Sequence, residues 1–322
     1  MSYRQTLSIW IWENKNLLRR KITQLTRRLR KQPKIIASLT SYPARINTVH
    51  IAIRSLLAQK TLPDCIVLWL YTGDFPHGEN DLPTELRHLL SRDVIIKWVE
   101  EDLRPHKKYF WALQEYSEDL VLTFDDDLVY PNTYITELMN AHRAYPRAVA
   151  AIRAHLITFK DDGSRKPYDQ WIYEAPAFHP EMVGNPSLRL FATSGAGTLF
   201  PPHVMPANTF DLETIRETSL NADDVWLKVM QVIGRVPVVC ATQNQVIANI
   251  PLSEAAAQQR LSYIPNTQEE ALCHVNTENG GNDVILAQTL MHPTIVEAIA
   301  GCFDDLVKDE NLNLYANPDG FA

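Results

Sequence analysis

From residue 34 onward, short apolar runs alternate with stretches in which apolar residues recur every three or four positions. That rhythm predicts an α/β sheet with crossover helices. Five strands are expected at 34–39, 65–71, 94–99, 120–124 and 148–155. Between them, 48–59 places Val49, Ala52, Ile53, Leu56 and Leu57 on one helical face, and 83–90 and 109–116 read as shorter amphipathic helices. Farther on come a glycine-containing strand at 194–200 and a helix at 222–233. The stretch 161–186 has no clear period and carries Pro, Gly, Asp and the aromatics Tyr168, Trp171, Tyr173 and Phe178. It reads as a long ordered loop. The last ~90 residues continue the same pattern without a break, so one domain is expected over 34–322.

Residues 1–33 differ. They carry nine basic side chains and one acid, Glu13, whereas the rest of the chain holds 22 basic and 37 acidic residues. Leu18, Ile22, Leu25 and Leu29 form an apolar stripe at helical spacing, bordered by Arg and Lys and preceded by Trp10 and Trp12. Two readings stay open for this amphipathic arm: a helix lying on an anionic membrane surface, or one packed on its own domain or a partner. A spanning helix is not predicted, because the longest apolar runs, 66–71 among them, fall short of the ~20 residues a bilayer needs. The apolar stretch at 7–12 is too short for a secretory signal. A cytoplasmic location is expected, on the inner face of the membrane if the arm binds lipid.

The net charge of −7 over 322 residues argues against a general affinity for nucleic acid. Cys65, Cys240, Cys273 and Cys302 lie far apart without a CxxC pair, which speaks against a zinc site or a disulfide framework and for reduced thiols.

The segment with the most chemistry is LVLTFDDDLVYP at 120–131, where an apolar strand runs straight into three acids and stops at a proline. If the chain stays extended there, Asp125 and Asp127 point one way and Asp126 the other. Two carboxylates then share one small site at the carboxyl edge of the sheet, where open α/β folds bind ligands. Oxygen-only donors favour a hard divalent ion, Mg²⁺ or Mn²⁺, which would bridge the phosphates of a nucleotide. The alternative is a solvated acidic turn capping the next helix.

Four segments together resemble the nucleotide-sugar glycosyltransferases of the GT-A fold, family 2-like enzymes of bacterial surface-polysaccharide synthesis. SLTSYPAR at 38–45 looks like their first strand and nucleotide loop, and FDDD at 124–127 like their Asp-x-Asp motif. SGAGT at 194–198 is similar to their glycine-containing acceptor segment, and NADDVW at 221–226 to their acidic helix start. The resemblance covers roughly residues 34 to 250. It implies a GT-A-like, Rossmann-like sheet, mixed but mostly parallel and flanked by helices. It also implies a nucleotide-diphosphate sugar as donor, a UDP-sugar first among them, and a hydroxyl of lipopolysaccharide, capsule or another surface glycan as acceptor. Inversion at the anomeric carbon would need a base. The family position falls on Asp224, with Asp223 beside it; Asn221 as an N-cap followed by two acids is the structural alternative.

In the first loop Tyr42 is a candidate to stack on the base, and Thr40 and Arg45 are candidates for nucleotide oxygens. Lys108, in RPHKKYFW at 104–111, is a weaker candidate for phosphate. Gly195 and Gly197 permit close backbone approach or mark a bulge. His274 is similar to a late histidine that some relatives use as a further metal ligand. Two other functions compete. A nucleotidyltransferase would share the sheet and the acids, but its glycine-rich, lysine-bearing first loop is missing. A catalytically silent carbohydrate-binding or scaffold module, held at the membrane by its arm, would not need both acidic motifs.

Overall fold

A computed structural model describes residues 18–244 apart from 20, 24 and 28, the backbone of 248–249, and residues 281–308 apart from 300. The strands are β1 (Ile35–Thr40), β2 (Cys65–Tyr71), β3 (Val94–Val99), β4 (Leu120–Thr123), β5 (Leu128–Val129), β6 (Val149–Ala151), β7 (Ala154–Leu156), β8 (Leu190–Ala192), β9 (Thr198–Phe200), β10 (Val238–Cys240) and β11 (Ala248–Asn249). The main helices are α1 (Val49–Leu57), α2 (Lys107–Glu115), α3 (Tyr134–Ala144), α4 (Asp223–Ile233), α5 (Gly281–Met291), α6 (Pro293–Ala298) and α7 (Phe303–Lys308). Seven strands form the central sheet in the order β10-β6-β9-β4-β1-β2-β3. All its pairings are parallel except those of β9, which runs against both β4 and β6. This is an α/β, Rossmann-like arrangement: a mixed, mostly parallel sheet between helices. β5 pairs with β11, and β7 with β8, as small ribbons beside it.

Strand alternation sorts the core. Ile35, Ala37 and Leu39 of β1 join Leu120 and Leu122 of β4 and the buried faces of α1 and α3. Ile36, one residue out of step, packs instead with Val67, Trp69, Val121 and Ala112 of α2. A further cluster holds α4 against β6, β8 and β10, and Leu286, Ile295, Phe303 and Val307 of the last three helices complete it. Among the described residues no helix is long and apolar enough to cross a membrane.

Three expected elements differ. The strand expected at 148–155 divides into β6 and β7, with Ile152 and Arg153 between them. The glycine strand expected at 194–200 begins as a single turn, Ser194–Ala196, and only Thr198–Phe200 is strand. Gly197 makes that change of direction with φ +110°, a value other residues rarely adopt. The loop at 161–186 holds short helical turns and is tied to β7 through the mutual backbone hydrogen bonds of Leu156 and Ile172. Its Tyr168 and Trp171 are buried against Phe191 and His155, so they fill core and present no open face to a sugar.

α4 also buries an ammonium. The Nζ of Lys228 donates to the Leu190 carbonyl at 2.8 Å and to Gln231 Oε1 at 3.4 Å. No ion pair reaches it among the described residues, and burial pushes its pKa down to about 7. A base depressed in the folded state costs stability while it stays protonated in the unfolded chain, so this cost recedes as pH rises from about 7 to the ordinary lysine range. Replacement by methionine, Lys228→Met, is therefore expected to raise the melting temperature at neutral pH by roughly 2 °C, with the gain shrinking toward pH ~10. Thermal denaturation of both proteins across that range checks it; a difference independent of pH would contradict it.

Candidate active site

β1 and β4 run side by side and deliver the first loop and the triple acid to the same, carboxyl-terminal edge of the sheet. β9 enters beside β4 from the opposite direction, so the turn that precedes it, with Ser194 and Gly195, lies at that edge too. α4 begins there as well, its first residues Asp223 and Asp224 bonded to Ser194. Segments far apart in sequence thus meet around one group of carboxylates.

β4 ends at Thr123 and Asp126 and Asp127 occupy a turn, so strand alternation does not extend through the acids. Asp125 goes one way, its Oδ1 2.8 Å from Lys108 Nζ. Asp126 and Asp127 go another, at 3.1 and 2.9 Å from the same Nη1 of Arg45. The expected sharing of one small site by Asp125 and Asp127 is replaced by sharing of one guanidinium by Asp126 and Asp127. Asp126 is buried, and the Ser41 hydroxyl donates to its Oδ2 at 2.5 Å. Both its oxygens are thus engaged in fixing the first loop.

Lys108 is buried and lies between Asp125 and Asp223, 3.0 Å from Asp223 Oδ2. Burial opposes its charge, but Asp125, Asp223 and Asp224 outweigh it and raise the ammonium's pKa. The phosphate-binding role expected from sequence is replaced by that of an internal counter-ion. The Ser194 hydroxyl donates to Asp223 Oδ2 and its backbone N–H to Asp224 Oδ1, each at 2.7 Å. For Asp223, burial works to raise the pKa, and Lys108, His106 and Ser194 reverse it, so this carboxylate stays ionised. Asp224, half-buried, is pushed up to about 7 by burial and by the charge of Asp223, against Lys108 and Ser194. Asp127 is also held up to about 7, by burial with Asp126 and Asp125 adding to it, while Arg45 opposes.

The other candidates are placed as follows. The Thr40 hydroxyl donates to the Trp69 carbonyl at 2.9 Å and so belongs to the pairing of β1 with β2. Tyr42 lies under the Arg45 guanidinium, 5.7 Å from its ring centre. His274 lies outside the described residues. Asn221 does not cap α4: the residue before the helix is Ala222, and the Asn221 side-chain oxygen accepts from Arg104 Nη1 at 2.7 Å.

Four further residues support the site without a sequence signal of their own. Ser194, in the glycine segment, and Ser41, in the first loop, each donate a hydroxyl to a buried carboxylate. Tyr130 follows the acids, accepts from the Asp125 N–H at 2.7 Å and donates to the Gly195 carbonyl at 2.7 Å, joining the two loops. His106 is fully buried, bonded to the Tyr109 hydroxyl and the Ser219 carbonyl at 2.8 Å each. Burial, against the pull of Asp223, lowers its pKa to about 4, so it braces the chain before α4 as a neutral ring. Nothing in its sequence neighbourhood signals a contact 113 residues away.

No protein-family model matches the sequence, and no curated protein matches it. Among solved structures 191 chains match. One is 4-diphosphocytidyl-2C-methyl-D-erythritol synthase from Anaerococcus prevotii DSM 20548, at 14% identity and a TM-score of 0.42, covering 71% of this chain and 95% of that chain. A likeness that distant says nothing of this chain's chemistry.

Gly195 is the tightest point of the site. A Cβ there would fall 1.7 to 2.2 Å from three carboxylate atoms of Asp125, which Lys108 holds in place. Gly195→Ala is expected to destabilise the fold by about 3 kcal/mol, as overpacking of a fixed neighbour does. Because the clash is with one side chain, the loss in the double variant with Asp125→Ala should be clearly smaller than the sum of the two single losses. Denaturant melts of the two single variants and the double variant test the coupling; simple additivity would refute it.

Proposed function

We propose that the chain is a glycosyltransferase that moves a sugar from a nucleotide diphosphate to an acceptor hydroxyl with inversion, using Asp224 as general base. The observation that carries this reading is the state of Asp224. It is half-buried, oriented by the Ser194 N–H, and has a carboxyl whose pKa of about 7 lets it accept a proton near neutral pH. Asp223 beside it is buried on Lys108 and Ser194 and acts as a positioning residue. Through Asp223 and Lys108 the helix start that carries the base is joined to Asp125 and thus to the acids after β4. The family assignment and the surface-glycan acceptor rest on the resemblance of the four sequence segments.

A divalent ion of the Mg²⁺ or Mn²⁺ type would be held by Asp127, since Asp125 is turned away onto Lys108. The donors are oxygens only, and Asp127 carries a carboxyl that burial and neighbouring acids keep protonated up to about 7, a proton that a cation would displace. Among the described residues no three candidate ligand side chains are gathered around one point. Mg²⁺ sites often use one or two carboxylates and complete the shell with phosphate oxygens and water. When bound, the ion would neutralise charge on the departing diphosphate. Arg45, already held by Asp126 and Asp127, is the guanidinium nearest those acids and is available to contact the same diphosphate. Asp224 takes the acceptor proton as the hydroxyl attacks from the opposite side.

The first test is a thermal-shift screen of UDP, GDP, CDP and CMP with and without Mn²⁺, since a ligand of the native state raises the melting temperature by mass action. A metal-dependent shift with one nucleotide is expected, lost in Asp127→Ala and kept in Asp224→Asn. Transfer from the sugar nucleotide so identified should fall by ~10²–10⁴ in Asp224→Asn with donor binding near normal. Equal loss of binding in both variants would overturn the division of roles. Release of pyrophosphate from a nucleoside triphosphate and a sugar phosphate would instead identify a nucleotidyltransferase, and a shift without any turnover the silent binding module.

Two effects of pH follow from the same carboxyl. The value of kcat/KM, which reports groups of the free enzyme, should rise with pH along a limb centred near 7 as Asp224 ionises. Stability should move the other way. A carboxyl whose folded pKa lies above its unfolded value stabilises the fold at low pH and loses that contribution as pH rises through about 7. Asp224→Asn should flatten this decline while abolishing the rate limb, which pH-resolved melting and kinetics on the two proteins will read.

A further inference from the structure

The described residues between 18 and 30 are helical, and the helix meets the body through its polar side. Arg27 Nη1 lies 3.3 Å from Asp64 Oδ2 with both side chains largely covered, and Arg19 Nη2 donates to the Lys60 carbonyl at 3.2 Å. Thr23, between them on the same face, is half-buried. The apolar stripe therefore faces outward: Leu18, Ile22, Leu25 and Leu29 are 57 to 75% exposed. They make up four of the eight large hydrophobic side chains left exposed among the described residues. An amphipathic helix packed on its own domain would bury that stripe; this one leaves the stripe exposed and covers Arg27 instead.

We propose that the stripe is a docking surface for an anionic lipid bilayer, with the helix lying flat among the headgroups. Charge selects that occupant. Exposed Lys21 flanks the stripe on a helix of 3.6 residues per turn, and Arg19 and Arg30, also exposed, lie about a quarter-turn from it at the margin of the body-facing side. Their long side chains can reach phosphates when the leucines enter the acyl boundary. A second copy of the same helix is disfavoured, because residues 1–33 carry nine basic side chains and one acid and would repel their like.

The placement of the arm orients the molecule. Lys60 and Asp64 precede β2, and Lys34 precedes β1, so the helix attaches at the amino-terminal edge of the sheet. The carboxylate site is at the other edge, about 20 Å away along strands of this length. The docked protein turns its acids away from the bilayer that holds it, and substrates meet them from the aqueous side. This docking is independent of the chemistry proposed for the site.

Vesicle flotation of the full chain tests the proposal, comparing pure phosphatidylcholine with vesicles containing about 30% phosphatidylglycerol, at about 0.1 and 0.5 M salt. Binding is expected only to the anionic vesicles and to weaken in the higher salt. Ile22→Ser with Leu25→Ser should lower the bound fraction at least 10-fold, and Lys21→Gln with Arg30→Gln should weaken it less. All four side chains are exposed, so melting temperatures should be unchanged and confirm intact folds. Failure to float with anionic vesicles, or undiminished binding by the serine variant, overturns the proposal. So does sedimentation equilibrium showing a dimer that the serine variant dissociates in a chain that does not bind vesicles.

Discussion

The ammonium of Lys108 is the constraint on which the site depends. Asp125 follows β4, Asp223 opens α4, and the two segments are nearly a hundred residues apart in the chain; a single buried cation lies within 3.0 Å of both. Without it, buried Asp223 would lose its counter-charge, and a buried carboxylate in that position either takes up a proton or forces the elements apart, while half-exposed Asp125 would lose its tie to α4. The lysine can do this because α2 packs along β1 and β4 and carries it to the same edge of the sheet, where its own carbonyl accepts from the Ser38 hydroxyl. The helix that covers the sheet is thus also the strut that holds the two acidic motifs in register.

Around that strut the carboxylates are made unequal. Asp126 and Asp223 are buried and hydrogen-bonded to hydroxyls, and they set geometry: one fixes the first loop through Ser41 and Arg45, the other fixes the start of α4 through Ser194. Asp127 and Asp224 carry the strain of the cluster, each with its carboxyl held up to about 7. Asp223 and Asp224 are a pair whose surroundings drive them apart, so that one site keeps an ionised and a protonatable group at neutral pH, whereas burial raises Asp126 as well as Asp127. Gly195 permits the arrangement, since any side chain there would occupy the space of Asp125.

Much of the scaffold was legible beforehand. Strands β1 to β4 fell within a residue of their expected bounds, because a strand buried between helices must be continuously apolar and is bounded by residues that cannot be. The two acidic motifs and the glycine segment were also legible as places where apolar patterning stops abruptly. The partnerships among them were not. Alternation predicted that Asp125 and Asp127 would face together, but the strand ends two residues earlier, and from there the directions of the acids follow Lys108 and Arg45. Asn221 had the chemistry of a cap and serves instead as the acceptor for Arg104.

The amino-acid sequence by itself determined the sheet, the covering helices, the uneven charge between arm and body, and the stretches where chemistry collects, since each depends on local periodicity and composition. Tertiary structure alone decided which way the arm turns its leucines, whether Lys108 meets phosphate or carboxylate, and which of two adjacent aspartates remains half-exposed. Those outcomes hinge on long-range contacts such as His106 with Ser219 and Ser194 with Asp223 and Asp224, whose partners are brought together by the order of strands in the sheet. Burial and pairing of charge depend on distances across that fold, and a one-dimensional pattern carries no record of them.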